Sequence, residues 1–364
     1  MIRKVAVGLS GGIDSAMSAL LLMEAGYEVI GLTMSFYDPA SGINVASGKG
    51  CFGPNEALNI LAARRVAEAL GIEHHVIDLR TEFAGQVLDY YRSTYLAGQT
   101  PNPCAKCNAF IKFGLLPQKA RDLGIEFDLF ATGHYVRRVQ NPDTSRWQLF
   151  RGVDLSKDQS YFLSLLRQEQ LADTLFPLGE FSKSGVKEMA AQRGLDFLLS
   201  KAESQDFIQS DDHAGLFDPA LVKPGDLVDQ EAKVLARHRG LVHYTIGQRK
   251  GLGISGMAEP VFVTRIDAER NQVVIGPASQ LYKKELVTRD FNWLSVSASQ
   301  LPARAQAKIR QQHKAADCDL IPLGKNLLKL VFDEPQLSIT PGQIVAVYQG
   351  DLLLGGGFIA SGSS

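Results

Sequence analysis

Two cysteines stand three residues apart in "TPNPCAKCNAFIKFG", Thr100 to Gly114, directly behind a pair of prolines. Pro103 suits the first position of a helix, since it has no N–H to lose and its φ is already helical, and this sets Cys104 and Cys107 one turn apart on one face. Near a helix N-terminus a thiol is expected to ionise below its ordinary value of about 8.5, so the pair has the types and the placement of sulfur nucleophiles. A metal clip or a redox switch would use the same residues. A structural zinc site needs four ligands. The chain holds only two more cysteines, Cys51 in "GKGCFGPNE" and Cys318 in "AADCDL", and no such set can be assembled.

A second stretch with chemistry in it is "VAVGLSGGIDSAMSALL". A buried strand runs through Gly8, Leu9, Ser10, Gly11, Gly12, Ile13, Asp14 and Ser15 into a helix. Paired glycines let backbone N–H groups turn toward one point, and the helix N-terminus adds partial positive charge, so an anion belongs there. Neither common nucleotide motif fits. The lysine of G-x-x-x-x-G-K-[ST] is missing and the spacing is not G-x-G-x-x-G.

The elements that must position these residues follow from periodicity. The first half alternates β-branched runs ("KVAVGL", "EVIGLTMSF", "EHHVIDL", "FDLFATGHY") with amphipathic stretches ("SAMSALLLMEAG", "NEALNILAARRVAEALG"). That rhythm predicts an α/β fold, a doubly wound parallel sheet with crossover helices. A last helix in "FSKSGVKEMAAQRGLDF" has Ser182 or Ser184 as its N-cap. From about Gly225 onward the text is short strands with turn signals. We expect boundaries near residues 210 and 278, dividing the chain into 1–210, a small mostly-β unit 211–278, and 279–364.

Bulk properties narrow the partners. A 364-residue chain with 21% charged residues and a formal net charge of −1 has no field to attract a polyanion, so nucleic acid would have to be held by local basic patches. Such patches are "ARHRG" (Arg237, His238, Arg239), "GQRKG" (Arg249, Lys250) and "RAQAKIRQQHK" (Arg304, Lys308, Arg310, Lys314). The N-terminus reaches glycine before a signal-peptide core could form, and no apolar run is long enough for a membrane span. The expectation is a cytoplasmic protein in a reducing compartment, with no membrane partner.

The string S-G-G-x-D-S at Ser10 to Ser15 resembles the loop of ATP pyrophosphatases, the PP-loop enzymes of adenine nucleotide α-hydrolase-like fold that cut ATP to AMP and pyrophosphate. Further strings, "TPNP..C N..IKFG", "ATGHY", "LFRGVDLSKDQSYFL", "HYTIGQRKGLGI", "DEPQLSITPGQ" and "LGGG", are similar to one branch, the tRNA-specific 2-thiouridylases, over nearly the whole chain. The resemblance implies a PP-loop domain, a small central domain and a C-terminal β-barrel. It implies an enzyme, a sulfurtransferase that replaces the C2 oxygen of a wobble uridine by sulfur, using ATP and Mg²⁺, with tRNA and a sulfur donor (a cysteine desulfurase or a relay protein) as partners. By position, Gly8 to Ser15, Met34 and Gly133 would bind ATP. His134, Lys157, Asp158, Gln159, Arg310, Gln311 and Gln343 would contact tRNA, although most relatives carry an aromatic where Gln311 stands.

The catalytic cysteine of the resemblance maps onto Cys107, and most relatives have Asp where this chain has Cys104. Most also have a second cysteine in a motif like E-S-x-x-x-C-F-I. Here the text is "ESQDFIQ", Glu203 to Gln209, two residues shorter and without cysteine. Either Cys104 has taken the missing role in a persulfide and disulfide pair, or Cys104 and Cys107 hold a 4Fe-4S cluster whose third ligand would be Cys51. The thiol pair is favoured, with Cys51 read first as a small buried loop residue and Cys318 as inert. A ligase that adenylates a small molecule and a tRNA-binding relative without catalysis are the rival functions.

Overall fold

The computed structural model describes all residues except 1, 44–49, 201–206, 209–212, 255, 258, 298–299, 325 and 364. Strands β1 (Lys4–Gly8), β2 (Glu28–Ser35), β3 (Glu73–Asp78) and β4 (Leu129–Ala131) are followed by a hairpin, β5 (Val136–Gln140) and β6 (Trp147–Arg151), and by the short β7 (Thr174–Leu175). Five of these form a sheet in the order β3-β2-β1-β4-β7, every neighbour parallel. Helices α1 (Ile13–Glu24) and α2 (Glu56–Leu70) are two of its crossovers. Because side chains alternate along a strand, β1 sends Val5 and Val7 into one apolar layer, with Ile13, Met17 and Val66, and Ala6 into the other, with Ile30, Ile77 and Phe130. The doubly wound sheet expected from the alternating rhythm is therefore present, with apolar cores on both faces.

The strand order reverses between β1 and β4. At such a switch point the connections leave in opposite directions and open a crevice at the carboxyl ends of the strands. The glycine loop leaves β1 there, and "TGHY" leaves β4 beside it.

After the sheet come a small domain and a barrel. Strands β8 (Gly225–Val228), β9 (Val234–His238), β10 (Val261–Asp267) and β11 (Gln272–Pro277) pair in the order β10-β11-β8-β9 around their own core of Leu227, Val263, Val273 and Ile275. Strands β12 (Tyr282–Trp293), β13 (Arg304–Lys308), β14 (Ala316–Gly324), β15 (Leu327–Leu337), β16 (Ile344–Gln349) and β17 (Leu352–Ser363) run β12-β15-β14-β13-β16-β17, and β17 returns to β12 to close the barrel. The β5–β6 hairpin, although it follows β4, pairs with β17 through Leu149↔Leu353 and Phe150↔Leu352.

The barrel is consequently fused to the α/β domain. Ile344, Ala346, Tyr348, Leu353 and Phe358 belong to the same apolar cluster as Ile77, Phe83 and Phe130. Tyr161 donates to the Ile344 carbonyl at 3.0 Å, and Thr100 N–H to the Pro341 carbonyl at 2.9 Å. Phe358 sits 5.8 Å from the Tyr90 ring across this seam. Phe358→Ala should cost about 3–5 kcal/mol, the usual range for a buried aromatic. In scanning calorimetry the wild-type α/β domain and barrel should melt in one endotherm that the substitution moves down as a unit; two separate transitions would contradict a shared core.

Candidate active site

The glycine loop is held from below. Leu9 N–H extends β1 by donating to Leu32 O at 2.8 Å, and Leu9 and Ile13 are buried, so they anchor the loop. Thr33 donates to the Leu9 carbonyl at 2.8 Å and is itself 2.8 Å from His74 Nε2, which gives that histidine a bracing role. Gly11 has φ +71°, and a Cβ there would lie 2.7 Å from both Ala62 Cβ and Ala63 N, so no other residue fits. Ser15 Oγ donates to Gly12 O at 3.0 Å and accepts from Ser10 N–H at 3.2 Å. Gly12 caps α1 without a side chain. The first-turn N–H groups of α1 are therefore left for an anion, with the helix dipole behind them.

Asp14 stands in the middle of this cradle. Lys183 Nζ donates to its two oxygens at 2.7 and 2.8 Å, and the Tyr135 hydroxyl to Oδ1 at 2.7 Å. The lysine side chain is only 8% exposed. Sequence reading passed over Lys183 and Tyr135. A signal existed: Lys183 is the first residue of the helix Lys183–Gln192, capped as expected by Ser182, where the helix dipole disfavours a cation. Gly133 closes the cradle from β4, since a Cβ there would come within 2.9 Å of Asp14 C and O and of Ser15 N. Met34, at the end of β2, packs half-buried on the sheet core. Just beyond it the buried Glu56 carboxylate accepts from Phe36 N (2.7 Å), Tyr37 N (2.8 Å) and Ser35 Oγ (2.9 Å).

The cysteine segment forms as its residues dictate. Asn102 Oδ1 accepts from Ala105 N–H at 3.0 Å, Pro103 takes the first position of the helix Pro103–Lys106, and the chain continues as a π-helix, Cys107–Leu115. The expected fall in thiol pKa does not occur at Cys107. Burial pushes it up, against a smaller pull from the Lys112 charge. The physical reason is position: Cys107 lies past the first turn of a four-residue helix and is packed on the apolar core, so desolvation of the thiolate exceeds any dipole effect. At Cys51 burial comes first and the charges of Cys104 and Cys107 add to it, driving that thiol well above its ordinary value. Cys318 is buried in the barrel, its thiol held up at about 12 chiefly by burial. No disulfide joins any of the four.

A cavity of about 400 Å³ opens beside Cys104, walled by Tyr91, Tyr95, Phe207, His213 and Gln343. Tyr91 OH and His213 Nδ1 are 2.7 Å apart across it. Asn102 Nδ2 donates to Gln343 Oε1 at 3.2 Å, and Gln343 Nε2 to Pro101 O at 3.1 Å, so the barrel residue expected on tRNA also clamps the cysteine segment. Among the described residues no three His, Cys, Asp or Glu side chains are arranged to hold a metal ion. Of "ESQDFIQ", Phe207 and Ile208 are described, while residues 203–206 and 209 lie outside the described residues.

The other expected tRNA residues are held by local contacts. Half-buried His134 packs at a tilt against Phe113, ring centroids 5.5 Å apart, and is held neutral, first by burial and then by the Lys112 charge. Asp158 is 4% exposed, and its carboxylate accepts from Ser160 N and Oγ at 3.1 and 2.8 Å, so it shapes the loop from inside. Gln159 Oε1 accepts from Tyr135 N–H at 3.2 Å, beside the half-buried Lys157. Gln311 donates to the Asp158 carbonyl at 2.9 Å and Arg310 to Leu337 O at 3.0 Å. The basic stretches are partly spent internally: Arg237 pairs with Asp226 at 2.7 Å, Arg304 with Asp319 and Asp333 at 2.8 and 2.6 Å, and His238 is buried.

The profile of a family described as tRNA methyl transferase HUP domain matches residues 3–209, a companion PRC-barrel domain 218–277, and an aminomethyltransferase beta-barrel domain 283–359. A protein of Desulfitobacterium hafniense named tRNA-specific 2-thiouridylase MnmA is 42% identical over 98% of this chain and 98% of its own. A protein of the same name from Moorella thermoacetica is 45% identical over 98% and 99%. The chain belongs to the tRNA-specific 2-thiouridylase family. The burial of Cys107 has a measurable consequence. Iodoacetamide should alkylate Cys107 more slowly in the native chain than in the urea-unfolded chain at pH 8, with the native rate still climbing above the ordinary thiol range, as mass spectrometry of the Cys107 peptide would read; equal rates would mean the thiol is not desolvated.

Proposed function

We propose that this protein is a cytoplasmic enzyme that uses ATP to replace the C2 oxygen of the tRNA wobble uridine by sulfur, with residues 1–210 doing the chemistry and 211–278 and 279–364 holding the RNA. One observation carries the reading. Two consecutive residues join the glycine-loop cradle to the thiol segment: Gly133 rests on the backbone of Asp14 and Ser15, and the His134 ring packs at a tilt against Phe113 of the π-helix that begins at Cys107. An activated base and a sulfur nucleophile are thus served by one crevice.

The N–H groups of the glycine loop and Lys183 bind the phosphates of ATP, with Met34 against the adenine. Mg²⁺ commonly takes one carboxylate together with substrate phosphates; Asp14 is the carboxylate in place, and the ion would offset phosphate charge. The flipped uridine enters the cavity beside Cys104, which has the aromatic walls that a single base stacks on. Its C2 oxygen attacks the α-phosphorus and pyrophosphate leaves. A persulfide donor, such as a cysteine desulfurase or a relay protein, has meanwhile passed its outer sulfur to Cys107. That sulfur attacks C2 and AMP departs with the oxygen. Cys104 then attacks the Sγ of Cys107, a Cys104–Cys107 disulfide forms, and 2-thiouridine leaves with the electron pair on its sulfur. An external thiol reductant restores the pair.

Pyrophosphate release with ATP, with and without tRNA, followed by mass analysis of the nucleosides, tests this. Pyrophosphate release that requires tRNA, with 2-thiouridine as product, is expected. Release without tRNA would favour a small-molecule ligase, and tRNA binding without release a non-catalytic relative. Cys104→Ser and Cys107→Ser should each abolish thiolation. Lys183→Met should slow adenylation by about 10²–10³, the size of losing one preorganised charge donor, while tRNA affinity stays within twofold.

A further inference from the structure

We propose that Cys51 is a third thiol of the relay, which takes over by exchange the disulfide first formed between Cys104 and Cys107; this rests on the reading of Cys107 as the sulfur carrier. Two loops cross where Cys51 lies. Its Sγ donates to the Phe207 carbonyl at 3.7 Å, and Phe52 N–H donates to the same oxygen at 3.1 Å. Phe207 in turn walls the cavity that Cys104 lines. All three cysteines pack on one apolar cluster. Stacked rings close that cluster, Phe36 on Phe83 at 4.6 Å, Phe83 on Phe52 at 5.5 Å and Phe52 on Phe207 at 5.6 Å.

Geometry supplies the reason for a third thiol. Residues three apart on a helix have Cβ atoms about 5–6 Å apart, whereas a relaxed disulfide brings them to about 3.5–4.5 Å. A Cys104–Cys107 bond is therefore strained while the helical turn persists, and strained disulfides exchange readily. Cys51 comes from a different loop and carries no such restraint. The Cys51 thiol attacks Sγ of Cys104; the Cys51–Cys104 bond forms as the Cys104–Cys107 bond breaks, the electron pair leaves on the Cys107 sulfur, and the proton of Cys51 passes to that sulfur. One disulfide is present before and after, so no oxidant enters. A dithiol reductant then supplies the two electrons that reopen Cys51–Cys104, while Cys107 is already able to accept the next persulfide sulfur.

The experiment is turnover of the full-length protein with ATP, tRNA and a low-molecular-weight persulfide, without reductant, followed by non-reducing peptide mapping; Lys106 lets trypsin separate Cys104 from Cys107. The wild type should accumulate a Cys51–Cys104 cross-link, and Cys51→Ser only Cys104–Cys107. With reductant restored, Cys51→Ser and Cys51→Ala should each lower the steady-state rate about tenfold, more than they lower the amplitude of the first turnover. A wild type that makes 2-thiouridine yet yields only the Cys104–Cys107 link overturns the role of Cys51 and leaves Cys107 standing. If the wild type makes no 2-thiouridine, or if Cys107→Ser still does, the underlying reading fails, and the role of Cys51 with it.

Discussion

The ion pair between Asp14 and the nearly buried Lys183 is the interaction on which the site depends. A buried ammonium without a counter-charge costs several kcal/mol, so Lys183 fixes the start of its own helix against the first turn of α1. Tyr135 adds a hydroxyl to the same carboxylate and thereby pins the segment after β4. Three elements far apart in sequence converge on one side chain. Such a pair gains little stability over an apolar replacement; what it supplies is a positive charge held where phosphates would arrive, without reorganisation at the moment of reaction.

Sulfur chemistry is governed by the opposite constraint, exclusion of charge. Packing the cysteines on an apolar core keeps Cys107 and Cys51 protonated at rest. That protects them from solution oxidants, since the thiolate is the reactive form. The π-helix from Cys107 to Leu115 is part of the same arrangement: its wider turn is a costly geometry found mostly at functional places. It carries Lys112, the cation that opposes the burial effect at both thiols. Reactivity is thus set by a balance between desolvation and a single neighbouring charge, and a substrate that displaces apolar contact would shift it.

Much of this was legible in the sequence. Alternating β-branched runs and amphipathic stretches foretold the parallel sheet, because each strand is buried on both faces, and Pro103 marked the helix start because proline fits there. The glycine pair marked a tight turn for a steric reason that the Gly11 conformation bears out. The coupling of the barrel to the α/β domain was not legible: nothing local in the β5–β6 hairpin says which sheet it joins. The thiol environment was misjudged for a related reason. Dipole effects can be read from neighbours in sequence, whereas desolvation at Cys107 comes from residues brought in by the fold. Lys183 escaped because a single lysine in a charged, capped helix looks like solvent-facing surface.

The loop from Gly152 to Gln159 ties the segment after β4 to the start of the helix that carries Lys183. Asp154 Oδ2 accepts from Lys183 N–H at 3.0 Å, and Gln159 Oε1 accepts from Tyr135 N–H at 3.2 Å. The two residues that grip Asp14 are therefore each held by this one loop, which also carries Lys157. A near-neutral chain that spends Arg237 and Arg304 on internal carboxylates cannot rely on a broad field to hold RNA, so local contacts on such a loop matter more. Any ligand that favours one arrangement of the loop must favour the same arrangement of Lys183 and Tyr135, and linkage makes the effect reciprocal. In the proposed reaction, nucleotide bound at the glycine loop would in the same measure order this loop for RNA, so ATP would be consumed chiefly when the base to be modified is in place.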